Sequence, residues 1–165
     1  MTIAMVALAG CPVPRARSEL IEAGANVPLL ASGLPAPEPC PETARTFMNV
    51  LQLKPGDTAE IEIDANQFER EPLTIQAGPI ESIMLGGMGD LGGATRLYGR
   101  VWTSSTGRVV IRYYRAQRAT GGDPIPICAV ARAGGGQLEG KPGKFTGTAE
   151  LPYSSALAFV VQDFL

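Results

Sequence analysis

The chain has 165 residues, a formal net charge of −2, 20 glycines, 14 prolines and no histidine. That length fits one domain, and the charge gives no global attraction to nucleic acid or to an anionic membrane. The lack of histidine removes Ser-His-Asp and Cys-His catalysis and the commonest zinc ligand, while leaving carboxylate chemistry open.

The chain opens on "TIAMVALAG", nine apolar or small residues ending at Cys11. The run is too short to span a bilayer and matches the apolar region of a secretion signal. Leu8-Ala9-Gly10-Cys11 resembles the lipobox of bacterial lipoproteins. The resemblance implies that Cys11 is the first mature residue and carries a diacylglyceryl group. It implies further that Pro12, standing where an Asp would retain the protein at the inner membrane, sends it to the outer membrane. No Lys or Arg precedes Cys11, as such signals require, so the true start is expected upstream of Met1. Residues 1–11 are thus read as a signal remnant with a lipid-attachment site.

Residues 12–45 are rich in Pro, Ala and Glu, with Pro28, Pro35, Pro37, Pro39 and Pro41 in the later part. Such a stretch resists a regular helix and reads as a tether. Residues 46–165 read as the folded domain. "TFMNVLQL" is a strand candidate, followed by a turn at "KPGD". "TAEIEIDA" alternates strictly: Ala59, Ile61 and Ile63 point to a core, and Glu60, Glu62 and Asp64 to water. "EPLTIQAG" and "IESIMLGG" are shorter strands. "GGMGDLGG" contains the G-x-G-x-x-G spacing, but it leads into a strand and not a helix. The phosphate-binding helix terminus is therefore missing, and the segment reads as a mobile Gly-rich connection.

"ATRLYGRVWTS" and "GRVVIRYYRAQ" form the strongest hairpin signal. "PIPICAVARA" is another strand, "GGGQLEGKPGK" a loop, and "KFTGTAEL" a strand. "SALAFVVQDFL" is nearly continuously apolar, which predicts a central strand buried on both faces. Eight or nine strands with no helical stripe after residue 45 predict an all-β fold, an antiparallel β-sandwich or flattened barrel.

With Cys11 lipidated, Cys40 and Cys128 remain to form a disulfide, which suits an oxidising, extracytoplasmic compartment. No Cys-x-x-Cys pair suggests a metal site, and no catalytic residue or cofactor is assigned. Charge is uneven: residues 56–90 hold eight acids and one base, residues 91–118 six arginines and no acid. These can pair across the sheet, or the arginines can present a patch to an acidic partner. Tyr98, Arg100 and Trp102 share one face of the first hairpin strand, and Arg112 and Tyr114 one face of the second. An exposed face of this kind suits stacking on sugars or on a protein.

Over "RLYGRVWTSSTGRVVIRYYRAQ" and "PICAVAR" the chain resembles small β-rich extracytoplasmic proteins of myxobacteria. That implies a compartment and a β-rich domain only. Kinase labels attached to some of them do not transfer, because the chain has no His-Arg-Asp or Asp-Phe-Gly motif. The function expected is a non-enzymatic, lipid-anchored envelope protein whose domain binds a protein or glycan. The alternatives are a carbohydrate-binding module built on the Tyr/Trp/Arg face and a small carboxylate-based hydrolase.

Overall fold

A computed structural model describes residues 22–165; the lipobox and Cys11 lie outside them. The fold is mostly β and antiparallel, as expected. Six strands form a closed barrel: β2 (Thr58–Glu62), β4 (Gly78–Met84), β5 (Arg96–Thr103), β6 (Arg108–Gln117), β7 (Ile125–Arg132) and β11 (Ser155–Val160). They follow one another around the ring in chain order, and β11 pairs back onto β2 to close it. Closure satisfies the edge hydrogen bonds that an open sheet would leave exposed.

Excursions from the ring form the remaining strands. β3 (Leu73–Gln76) pairs with β10 (Thr148–Leu151), which also pairs with β9 (Lys141–Pro142). β8 (Leu138–Glu139) pairs with the start of β6. The "GGGQLEGKPGK" stretch, expected as loop, therefore supplies two short strands. A two-stranded ribbon joins β1 (Glu38–Pro39) to β12 (Asp163–Phe164).

A six-stranded ring is narrow, so its interior mixes small and large residues. Ala59, Ala116, Ala129, Ala131, Ala156, Ala158 and Gly99 leave room for Ile61, Met84, Leu97, Val101, Ile111 and Tyr113. At Gly99 the strand passes so close to β6 that an added Cβ would lie 2.1 Å from the Arg112 carbonyl oxygen. A register shift beside it, between Tyr98 and Gly99, marks the same crowding. Tyr113 is fully buried, and its hydroxyl donates to Ser82 Oγ at 2.7 Å, which in turn donates to the Ile63 carbonyl.

Two expectations fail here. "TFMNVLQL" is not a strand: residues 46–50 belong to helix α1 (Glu42–Val50). Ala44, Met48 and Leu51 recur at i, i+4 and i+7 and are buried, the period of a helix face. Gln52 then turns left-handed at φ 55, with Leu53 N–H donating to the Met48 carbonyl and Gln52 N–H to that of Asn49. This pair of bonds satisfies carbonyls that the helix end would otherwise leave open. The second failure is "SALAFVVQDFL". In a closed ring no strand is sandwiched, and β11 alternates: Ala156, Ala158 and Val160 inward, Leu157 and Phe159 half-buried outside.

The segment expected as tether is packed from Leu34 onward. Leu34, Cys40 and Ala44 are buried, and Cys40 is bonded to Cys128 with Sγ–Sγ 2.01 Å. Prolines bar a long helix but do not prevent short extended pairing such as β1. The Gly-rich stretch also packs, where a mobile connection was expected. Met88 and Leu91 are buried and face each other, Asp90 N–H donates to the Leu51 carbonyl, and Gly89 has φ 55. A Cβ at Gly89 would lie 2.5 Å from that carbonyl oxygen, so glycine serves close approach there and not phosphate binding.

Candidate functional site

The hairpin β5–β6 places its residues as period two requires. Leu97, Val101, Val109, Ile111 and Tyr113 point into the barrel, while Tyr98, Arg100, Trp102, Arg112 and Tyr114 stand together outside. The outer set is not an open platform, however. Arg112 is 1% exposed and Trp102 7%. The β1–β12 ribbon lies over them, which the hairpin's own sequence does not reveal.

The ribbon supplies partners to Arg112 and Tyr114. Arg112 Nη1 is 3.1 Å from Glu38 Oε1, which also accepts the Tyr114 hydroxyl at 2.6 Å. The guanidinium carbon lies 5.2 Å from the Phe164 ring centroid and 5.6 Å from that of Trp102. Tyr114 and Phe164 meet with centroids 5.1 Å apart. A planar cation between two ring faces gains quadrupole attraction that partly offsets its lost hydration. Yet Arg112 Nε and Nη2 have no hydrogen-bond partner among the described residues. Farther along the face, Tyr98 donates to Gln117 Oε1 at 2.8 Å and Arg100 Nε to the Ala23 carbonyl at 3.3 Å. Burial, and then the Glu38 carboxylate, push the Tyr114 hydroxyl far above the usual phenol range. Burial alone dominates the same upward shift at Tyr113.

The uneven charge resolves only in part. Glu81 and Arg96 form an ion pair across β4 and β5. Arg112 instead takes its carboxylate from Glu38, outside both charged blocks. Of the alternating acids, Glu60 is exposed as expected, but Glu62 is 5% exposed and its Oε2 has no partner among the described residues. The wet-face expectation thus fails at Glu62. Among the described residues no group of three or more His, Cys, Asp or Glu side chains gathers into a metal set.

An open groove lies elsewhere on the barrel. β6 and β7 pair from Arg112 opposite Val130 onward, but not at the preceding residues. There β6 turns to β8, and β7 keeps only β11. A groove of about 440 Å³ opens at this divergence. Val110, Val130 and Phe159 form its apolar wall, with Arg132, Gln137 and Asp163 among its polar lining. The Arg132 guanidinium stacks 5.0 Å from the Phe159 ring centroid. Sequence reasoning missed this site because it depends on where two strands part, which no local pattern encodes.

Among the described residues no helix is long and apolar enough to cross a membrane. No family model matches the chain, and no curated protein or solved structure is similar to it at a significant level.

Proposed function

We propose that the chain is a non-enzymatic, lipid-anchored envelope protein, held at the outer membrane through Cys11, whose barrel binds a protein partner. One observation carries the reading. The Cys40–Cys128 bridge uses two of the three cysteines, and the one left over stands at the end of the apolar "VALAGC" run. A disulfide suits an oxidising compartment, and a thiol at that position suits acylation. The β6–β7 groove is the seat for the partner in this reading. Its apolar wall, its Arg132–Phe159 stack and the strand edges that part there suit an extended segment laid along the barrel. The glycan alternative at Tyr98, Trp102 and Tyr114 has less support, since the ribbon covers that face.

Metabolic labelling with an alkyne fatty acid in a bacterial host tests the anchor. The wild-type chain is expected to take up label and fractionate with the outer membrane, and Cys11→Ser to do neither. A mature protein that begins upstream of Cys11 and carries no acyl mass overturns the reading.

A further inference from the structure

The barrel carries another concavity, lined by polar groups, by Ile75, Pro79 and Ile80, and by an exposed aromatic. It measures about 410 Å³ and lies between the outer face of β3–β10, the loop after β2 and the start of β4. Asp64, Gln67, Thr74, Gln76 and Thr148 line it, with Phe145 among them. Phe145 is 70% exposed, so its ring is accessible to a ligand, with Lys144 Nζ 5.7 Å from its centroid.

Local structure fixes these groups in place. On β3, Leu73 and Ile75 are buried in the core, so Thr74 and Gln76 must face out. Register then sets Thr148 opposite Gln76. Thr148 Oγ1 donates to the Phe145 carbonyl at 2.6 Å and accepts the Phe145 N–H at 3.2 Å, which holds the turn bearing the ring. On the facing loop, Asp64 accepts the Asn66 N–H at 2.8 Å and Gln67 Nε2 at 2.9 Å. Gln67 Nε2 also donates to the Thr74 carbonyl at 2.8 Å, tying the loop to β3. Both amide hydrogens of Gln67 are thereby engaged, which leaves its Oε1 as an acceptor. Each Asp64 oxygen takes one of these bonds and keeps capacity for another.

The chemistry of this set is specific. Carboxylate, amide and hydroxyl groups held rigidly around a ring recognise paired hydroxyls and the C–H face of a pyranose. Asp64 disfavours an anionic ligand, and polar groups set beside the apolar Ile75, Pro79 and Ile80 suit the mixed hydroxyl and C–H surface of a sugar. We infer that the Phe145 pocket is a binding subsite for a neutral sugar unit of a polysaccharide. Phe145 stacks on the ring, and Asp64, Gln67 and Gln76 accept or donate to its hydroxyls. The inference is independent of the acyl anchor and of the β6–β7 groove.

Isothermal titration of the oxidised full-length chain carrying Cys11→Ser tests it. The probes are hexasaccharides of glucose, mannose, galactose and N-acetylglucosamine, with oligogalacturonate as the acidic comparison. At least one neutral probe is expected to bind. Phe145→Ala should weaken that binding tenfold or more and Gln67→Ala about fivefold, with thermal unfolding of Phe145→Ala unchanged because the ring is exposed. Trp102→Phe should leave it unaltered. Absence of binding to every neutral probe, preference for the acidic one, or wild-type affinity in Phe145→Ala overturns the inference. An unlabelled Cys11 with intact sugar binding removes the anchor and leaves this subsite standing.

Discussion

Arg112 brings a permanent charge under the β1–β12 ribbon, where two of its nitrogens find no acceptor among the described residues. One carboxylate, Glu38, neutralises it. Removing one member of a buried pair costs more than removing both, because it strands the other charge. Glu38→Ala should therefore destabilise the fold by about 3 kcal/mol in urea unfolding. The double change Glu38→Leu with Arg112→Met should stay within about 1 kcal/mol of wild type. Buried Tyr113 and half-buried Tyr114 give a pH dependence. Their hydroxyls titrate higher folded than unfolded, so the folded state holds those protons longer. Their contribution is complete below about pH 10, the unfolded value, and is lost as pH rises beyond it. An alkaline unfolding series should show stability falling above about pH 10, with a flatter decline in Tyr114→Phe. At this scale the inward set from Leu97 to Tyr113 was legible, because alternation alone fixes it. The burial of Arg112 was not: alternation says outward, and outward means wet only if no other element lies above.

Helix α1 shows the same limit one level up. Its apolar stripe starts at Ala44, inside the Pro-rich segment, and a boundary drawn at residue 45 cuts the period before it can register. Read from Thr46, "TFMNVLQL" offers β-compatible residues and no visible stop, since the C-terminal turn is made by Gln52 in place of glycine. The helix lies against β7, where Met48 Sδ accepts the Cys128 N–H at 3.2 Å. Met48→Ala should cost about 2–5 kcal/mol, read from the urea midpoint. The adjacent disulfide spans 88 residues. In the chain-entropy model a loop of that length contributes about 4–5 kcal/mol. Cys40→Ala with Cys128→Ala should lose about that much, measured by unfolding under oxidising conditions. Strands such as "TAEIEIDA" were legible because one face is core and the other mostly wet. The β1–β12 ribbon was not, since each partner is two residues long and they sit at opposite ends of the described chain.

For the whole molecule, a meander in chain order explains why strand count and turn spacing led toward the right architecture. Closure itself was beyond them: it rests on the pairing of β2 with β11, almost 100 residues apart, and on how many strands the Ala-rich interior lets meet. The alternatives of sandwich and barrel differ only in that long-range pairing. The groove and the Phe145 pocket are both products of the same geometry, one where ring strands diverge and one where an excursion folds back.

The β1–β12 ribbon places two remote stretches of polypeptide side by side, so the order in which the chain visits its strands is a choice and not a necessity. A short Gly-Ser bridge joining residue 165 to residue 22, with new termini cut at the exposed Gly121-Gly122 connection, should yield a permuted molecule that keeps every strand partnership. Far-ultraviolet circular dichroism matching the parent, with cooperative melting, is the expected result. Such a permutant would begin just before β7, run through the ribbon internally, and do without residues 1–21.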